Sequence, residues 1–461
     1  MARLIDLVWR NKLFFLLVTG AALALRLYFV FRYPVVEGDT FIYGDIAKNW
    51  MNHGIYGVTD LSVIRPTLIR LPGYPAFLVV MFSIFGQEHY HAVMVAQALI
   101  DTNTCLVIAA LALELFGERP AKITYLLAAL CPFTANYTAT PLTETLAIFS
   151  TSHALYYGVR GLKALNAGQP GKWLWLLCGL WIAMGIYLRP DGGLLLVALG
   201  GALLFYLFRP VYRKHAFWAG VLLIAASLGP LVPWTVRNWR TFHVFQPLSP
   251  RYANDPGESV PMGFNRWMRT WVVDLVSTQE VYWPVSGEPL DIDSLPERAF
   301  DSREQYDQID ELIADYNLQK YIDEDIDARF GRLAAERIAR KPFRYYVWLP
   351  FLRTTDMWLR PRTELLPIES RWWEFSDHRG ESIFALIWAG MNLLLLLAAL
   401  RGWLITRLGI CGIVLIGFVL LRSVFLSSLE NPEPRYLLEC FPVVLALGGA
   451  AFQKKTFSFK S

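Results

Sequence analysis

Charge is scarce in this sequence of 461 residues, where Asp, Glu, Lys and Arg make up 18%. That is too little to clothe an ordinary globular surface, and with 55% hydrophobic residues the chain is far too apolar for disorder. Cysteine is scarce as well. The five present (Cys105, Cys131, Cys178, Cys411 and Cys440) lie in or beside apolar runs without CxxC spacing, which points to neither a disulfide framework nor a zinc site. No internal repeat or low-complexity tract is visible. The 43 basic and 39 acidic residues leave a net charge of +4 and no basic stripe, so nucleic acid is not an expected partner. A collagen, a secreted mini-protein and a cytosolic enzyme are excluded. What remains is a chain whose main solvent is lipid.

A membrane span needs about 20 mostly apolar residues, with about 17 sufficient. Ten stretches meet or approach this: 13–31, 92–116, 123–137, 142–157, 173–188, 194–208, 217–236, 383–400, 404–425 and 436–452. The first follows Arg3, Arg10 and Lys12 and lacks a small-residue cleavage site, so it reads as an anchor rather than a removed signal. Basic residues favour the cytoplasm. The alternation puts Arg119 and Lys122, then Arg160, Lys163 and Lys172, then Arg209, Arg213 and Lys214, then Arg401, and finally Lys454, Lys455 and Lys460 inside. Both termini are therefore expected in the cytoplasm of a multi-pass membrane protein. Two apolar stretches do not fit as spans. Segment 72–85 is short and would invert every later loop, and segment 345–359 carries Arg353 and Asp356 at its middle. Each such charge costs about 2.5–3.5 kcal/mol at bilayer centre. Both read as helices along the outer interface, with a re-entrant half-span as the alternative.

The predicted fold class is thus an all-α polytopic membrane protein of about ten transmembrane helices, with interfacial helices in the first outer loop and a small, mostly helical extracytoplasmic lobe. The expected division is a transmembrane module over 1–236 with its first outer loop at 32–91, the lobe over 237–382, and C-terminal spans over 383–461. Within the lobe, 291–327 holds thirteen of the 39 acidic residues, and Ile322, Ile326, Phe330 and Leu333 recur at helical spacing before Lys341-Pro342. Asp323-Glu324-Asp325-Ile326-Asp327 has the opening of a calcium loop but lacks its glycine and terminal glutamate. A solvated acidic face is the simpler reading.

Polar residues gather at the expected outer mouths. Glu37-Gly38-Asp39 opens a stretch running to Trp50, and a carboxylate at the lipid–water boundary can serve as general base. Asp39 could equally cap a helix starting near Phe41. Arg70, beside the Pro72-Gly73-Tyr74-Pro75 turn, suits a phosphate through bidentate donors, or it snorkels to headgroups. Glu144 stands at the mouth of a span, where an acid is a functional hypothesis, and also in a first helical turn, where negative charge is favoured anyway. Arg189-Pro190-Asp191, Arg237-Asn238 and Glu433-Pro434-Arg435-Tyr436 fall at outer mouths too.

Together these motifs resemble a known group. Asp39-x-x-x-Tyr43-x-x-x-Ala47 with Asn49 and Gly54-Ile55-Tyr56-Gly57 is similar to the first outer loop of GT-C glycosyltransferases, of the dolichyl-phosphate-mannose protein mannosyltransferase and aminoarabinose lipid A transferase type. Arg70-x-Pro72-Gly73-Tyr74-Pro75, Leu115-Phe116-Gly117-x-Arg119, Leu142-Thr143-Glu144, Leu188-Arg189-Pro190-Asp191-Gly192, Pro233-Trp234-x-x-Arg237-Asn238 and Arg435-Tyr436 follow in order. The resemblance implies a GT-C-like fold. It implies Asp39 and Glu144 as catalytic residues, and Arg70, Arg237 and Arg435 as ligands of the donor phosphate. Glu37, Tyr43, Tyr74 and Arg189 are expected to bind substrate. Many members carry an Asp-Glu pair where this chain has Asp39-Thr40, with Glu37 upstream instead.

The implied reaction moves one sugar from a polyprenyl-phosphate donor to a protein, lipid or glycan acceptor on the outer face. A single base opposite the leaving group implies inversion. No cofactor is expected and no metal is obviously demanded, since a cationic side chain can neutralise a monophosphate; His89-x-His91 lacks a third ligand. Two rivals stand. Asp101 and Asn103 in the second span are transporter-like. Trp372-Trp373-Glu374-Phe375 has some likeness to the Trp-Trp-Asp-Tyr-Gly signature of oligosaccharyltransferases, which use diphosphate donors, although a tryptophan-rich interfacial belt also accounts for it.

Overall fold

The computed structural model describes residues 2–285 and 287–453; the basic tail at Lys454, Lys455 and Lys460 lies outside them. The chain is helical almost throughout. In order come α1 (Ala2–Arg10), α2 (Lys12–Arg32), α3 (Asp39–His53), the hairpin β1 (Gly57–Asp60) and β2 (Val63–Pro66), α4 (Gly73–Phe85), α5 (Tyr90–Phe116), α6 (Glu118–Ala129), α7 (Pro132–Asn136), α8 (Glu144–Asn166), α9 (Lys172–Leu188), α10 (Leu194–Leu207), α11 (Arg213–Leu228) and α12 (Leu231–Phe242). Then follow α13 (Met262–Met268), the single turn α14 (Leu275–Ser277), α15 (Arg303–Gln319), α16 (Glu324–Arg340), α17 (Leu349–Leu359), α18 (Arg379–Ile405), α19 (Gly409–Ser427) and α20 (Phe441–Ala450). The hairpin is antiparallel, with Gly57 opposite Pro66 and Asp60 opposite Val63.

Among the described residues, five helices are long and apolar enough to cross a membrane, and a sixth span arises if the bent pair α11–α12 is counted as one. The other expected spans are present as helices that break, shorten or carry charge, for local reasons. Pro132 disfavours helix at Cys131, so 123–137 divides into α6 and α7. Gly229-Pro230 bends α11 against α12 by 42°. Pro442 sits in the first turn of α20, and the residues before it, Pro434–Cys440, form a 3₁₀ segment. Helix α8 has 23 residues but carries Glu144, His153, Arg160 and Lys163. Segment 72–85 is the 13-residue α4, too short to span, and 345–359 is a π-helical turn running into α17.

Two compact units emerge. The first comprises Met1–Gly257, Leu393–Leu421 and Leu438–Ser461, and the second Glu258–Asn392 with Arg422–Leu437. The lobe expected over 237–382 thus answers to a unit beginning at Glu258 and completed by a later segment. In the first unit, α8 packs on α5 and α9, α9 on α11, and α20 on α6. Every residue of α20 is buried. The second unit has its own core of Phe264, Trp267, Trp271, Tyr316, Phe330 and Leu333, and the spacing read at Ile326, Phe330 and Leu333 is the inner face of α16. Its acidic run does structural work. Asp323 caps α16 by accepting Ile326 N–H (2.9 Å), and Asp327 accepts the N–H groups of Gly263 (3.0 Å) and Phe264 (2.9 Å).

Candidate functional site

The loop between α2 and α4 is folded onto the turn before α8. Val35 N–H donates to Ala139 (2.9 Å) and the Thr40 hydroxyl to the Pro141 carbonyl (3.3 Å). These contacts set the start of α3 beside the start of α8, more than a hundred residues on. Gly38, at φ +53, occupies the N-cap position of α3, so Asp39 is the first helical residue rather than the cap. Its carboxylate accepts from the Arg70 guanidinium, Nη2 to Oδ1, at 2.6 Å. Both side chains are part-exposed, Asp39 by 32% and Arg70 by 19%, so the pair is reachable from solvent. Arg70 is therefore not simply snorkelling.

Tyr43, one turn along α3, is the hub. The Arg70 guanidinium lies 5.8 Å from its ring and the Tyr74 ring 5.1 Å away, edge-on. Burial pushes its hydroxyl up to about 12, while Arg70, Asp39, Glu144 and Arg189 all act on it electrostatically. Tyr43 is thus a neutral donor at any working pH, with two acids and two arginines around it. Tyr74 is fully buried and its hydroxyl donates to Gln97 (2.8 Å). Its ring thereby packs against Tyr43 from the buried side. Gly73 permits this: a Cβ there would lie 2.6 Å from the Tyr187 carbonyl oxygen, so α4 approaches α9 only with glycine.

A second group adjoins. Arg189 leaves α9 in extended conformation and donates to Glu144 (3.1 Å) and Asp191 (3.4 Å), with Glu439 at 3.5 Å. Glu439 in turn accepts the Thr151 hydroxyl at 3.1 Å. Glu144 and Glu439 are buried, and three carboxylates share one guanidinium. Glu439 was not singled out from the sequence. The available signal was an acid inside the apolar stretch 436–452, which by itself marks a functional hypothesis.

The remaining expected residues fall elsewhere. Glu37 is exposed on the approach to α3 and its carbonyl accepts Thr40 N–H (3.1 Å). Arg237 is turned to the backbone: its terminal nitrogens donate to the carbonyls of Thr67 (2.7 Å) and Tyr56 (2.6 Å). Arg435 belongs to the second unit, where it pairs with Glu433 at 2.6 Å. Trp372 and Trp373 lie in that unit as well, beside Arg371, which holds Glu280 bidentately (2.8 and 2.7 Å). His89 and His91 are exposed, and among the described residues no group of three or more His, Cys, Asp or Glu side chains is arranged to hold a metal ion. Asp101 is buried and paired with the buried Arg26 (2.7 Å), a tie between helices, while Asn103 is exposed.

Comparison with known proteins bears on this arrangement. Residues 66–234 match the family model of dolichyl-phosphate-mannose-protein mannosyltransferases, a stretch that includes Arg70, Tyr74, Glu144 and Arg189. No curated protein matches the chain by sequence. Among solved structures, the oligosaccharyltransferase of Archaeoglobus fulgidus tethered to an acceptor peptide superposes with a TM-score of 0.51 at 14% identity, over 96% of this chain and 49% of that one. Its apo form gives 0.51 at 13% identity, over 96% and 50%. The chain has the GT-C fold. It spans about half the length of that oligosaccharyltransferase. ArnT from Cupriavidus metallidurans bound to undecaprenyl phosphate aligns over 94% of this chain and 76% of its own, at 15% identity and a TM-score of 0.39. Asp39 stands outside the stretch matched by the family model, while its partner Arg70 stands inside it.

Proposed function

We propose that this GT-C protein is a glycosyltransferase that moves a single sugar from a polyprenyl-phosphate donor to an acceptor at the extracytoplasmic face of a cell membrane. The observation that carries the reading is the Asp39–Arg70 pair, an acid and a cation 2.6 Å apart at the head of α3 and part-open to solvent. The match of residues 66–234 to mannosyltransferases named for a lipid-phosphate sugar supports the donor class.

The chemistry follows from charge. As the sugar leaves, negative charge grows on the phosphate oxygens, and Arg70 is the cation placed to meet it. Phosphate would draw Arg70 toward itself and leave Asp39 to take the proton of the attacking hydroxyl or amine. Tyr43 then donates a hydrogen bond without risk of ionising. Attack opposite the departing phosphate inverts the anomeric centre. Glu144, held by Arg189, borders the same space and orients the acceptor. Neutralisation by Arg70 makes a metal ion unnecessary in this scheme. Arg237, engaged with carbonyls, has no part in phosphate binding in this scheme, and Arg435 pairs with Glu433.

The test is transfer from a radiolabelled polyprenyl-monophosphate sugar by the purified full-length protein in lipid. Asp39→Asn is expected to lower turnover at least about 100-fold with unchanged thermal unfolding. Arg70→Ala is expected to raise the KM for donor about tenfold or more, leaving that for acceptor alone. Activity only with a diphosphate-linked oligosaccharide, or near-normal turnover in Asp39→Asn, would overturn the reading.

A further inference from the structure

The loop that carries Arg70 is itself held from both sides by residues far along the chain. On one side Asp255 presents both carboxylate oxygens: Oδ2 accepts the Thr67 hydroxyl (2.7 Å) and Oδ1 the Leu68 N–H (2.8 Å). On the other, Arg237 Nη1 donates to the Thr67 carbonyl (2.7 Å) and Nη2 to the Tyr56 carbonyl (2.6 Å), which also receives Thr67 N–H (3.1 Å). The Tyr56 hydroxyl donates to the Arg70 carbonyl (2.9 Å). Leu68 and Leu71 are buried in a cluster with Ile46, Tyr56 and Trp234. The Arg237 guanidinium is seated among the rings of Trp234 (5.1 Å), Phe242 (5.2 Å) and Tyr56 (5.3 Å).

Thr67 thus has its N–H, carbonyl and hydroxyl all committed, three residues before the arginine that pairs with Asp39. This is more restraint than an interfacial loop needs in order to pack. A loop left to itself samples many backbone states, and a ligand that must order it binds more weakly by that entropy. Here the ordering is already done by Asp255, Arg237 and Tyr56 through the backbone of the loop and the Thr67 hydroxyl. Asp255 and Arg237 both lie beyond the stretch matched by the family model.

We infer that Asp255 and Arg237 are positioning residues for Arg70, fixing the 67–71 backbone so that the guanidinium is pre-aimed at the donor phosphate. This rests on the reading of Arg70 as the phosphate ligand. Asp255 acts through Thr67 and Leu68, and Arg237 through the Thr67 and Tyr56 carbonyls. Neither touches substrate.

The experiment is a double-mutant cycle on the full-length protein in lipid, with a polyprenyl-monophosphate sugar as donor. Asp255→Ala is expected to raise the donor KM about 5- to 20-fold, roughly the loss of one to two restraining hydrogen bonds. Acceptor KM and the thermal midpoint should stay put, and Asp255→Asn, which keeps one accepting oxygen, should fall between. In an Arg70→Ala background, Asp255→Ala should add nothing further to donor KM, because there is no guanidinium left to aim. If its effect multiplies that of Arg70→Ala, or if donor and acceptor KM rise together with a lower melting temperature, Asp255 is only structural and the inference fails. Should Asp255→Ala not fold, Thr67→Val removes just the hydroxyl on the same carboxylate and carries the same expectations at smaller size. An Arg70→Ala enzyme with wild-type donor KM would instead sink the phosphate reading, and this inference with it.

Discussion

Asp356 shows how far a single side chain departs from its free behaviour. It sits in α17 with Arg360 no nearer than 3.8 Å and with Asp274 and Glu364 acting against its charge. Burial, first of all, pushes its carboxyl up to about 7. The folded protein therefore holds a proton there that the unfolded chain releases near pH 4. Stability from this group is fully present at low pH and is lost as pH rises from about 4 through 7. With 22% of the side chain exposed, the total is of the order of 1–3 kcal/mol rather than the full value for such a shift. Asp356→Asn should flatten the pH dependence, raising the thermal midpoint clearly at pH 8 while leaving it almost unchanged at about pH 3.5, below the carboxyl's unfolded value, measured by unfolding in detergent at both pH values. An equal change at both would mean the carboxyl is ionised throughout. Glu439 departs in another way: nothing in its neighbours along the chain announces that it shares Arg189 with Glu144, since the three meet only across helices.

Helices meet in the membrane with little hydrophobic force between them, so polar ties and close contacts decide how they register. Arg26 of α2 is the clearest tie. It is wholly buried, pairs with Asp101 of α5, and donates to the carbonyls of Ala128 (3.2 Å) and Ala129 (2.8 Å) at the end of α6. One guanidinium thus joins three helices and adds donors to the carbonyls at the end of α6, where the helix stops before Pro132. Asp101→Asn should destabilise the fold by about 3–5 kcal/mol, because it strands a buried charge. The measurement is urea or thermal unfolding in detergent, and a loss below about 1 kcal/mol would mean that the carbonyls alone hold Arg26. The helix–loop–hairpin–helix order of the first outer loop follows from its residues. Gly54 in left-handed conformation (φ +68) ends α3, the Asp60–Val63 turn reverses the chain, and Pro72-Gly73 starts α4.

For the molecule as a whole, the alternation of basic loops makes a geometrical demand: ends assigned to one side must touch one another. In the first unit they do. Arg10 pairs with Glu118 (2.6 Å), Lys163 donates to the Glu114 carbonyl and Gln453 to that of Phe116 (2.6 Å), all at expected inner ends. Asp39, Glu144, Arg189 and Glu439 gather around the opposite ends of their helices. Which side faces the cytoplasm rests on the positive-inside bias. Leu61, 90% exposed at the hairpin tip, offers a direct test, since all five native cysteines are buried. Leu61→Cys in whole cells should react with a membrane-impermeant maleimide before lysis. Reaction only after lysis would invert the topology.

By itself the sequence determined that the chain lives in lipid, which stretches are helical, and where glycine and proline interrupt them. These follow from composition, from periodicity and from the local steric rules of glycine and proline. It also placed Asp39, Arg70, Tyr43, Glu144 and Arg189 near helix ends, but it could not say which of them meet. Only the tertiary structure decided that Asp39 pairs with Arg70, that Tyr74 is buried support, that Arg237 grips backbone carbonyls, and that Glu439 joins Arg189. Likewise it divided the expected spans at Pro132 and Pro442 into shorter, buried pieces. The reason is physical. Helix formation and membrane insertion depend on groups within a few residues, whereas an ion pair depends on which helix faces come together, and that is set by packing across the whole bundle.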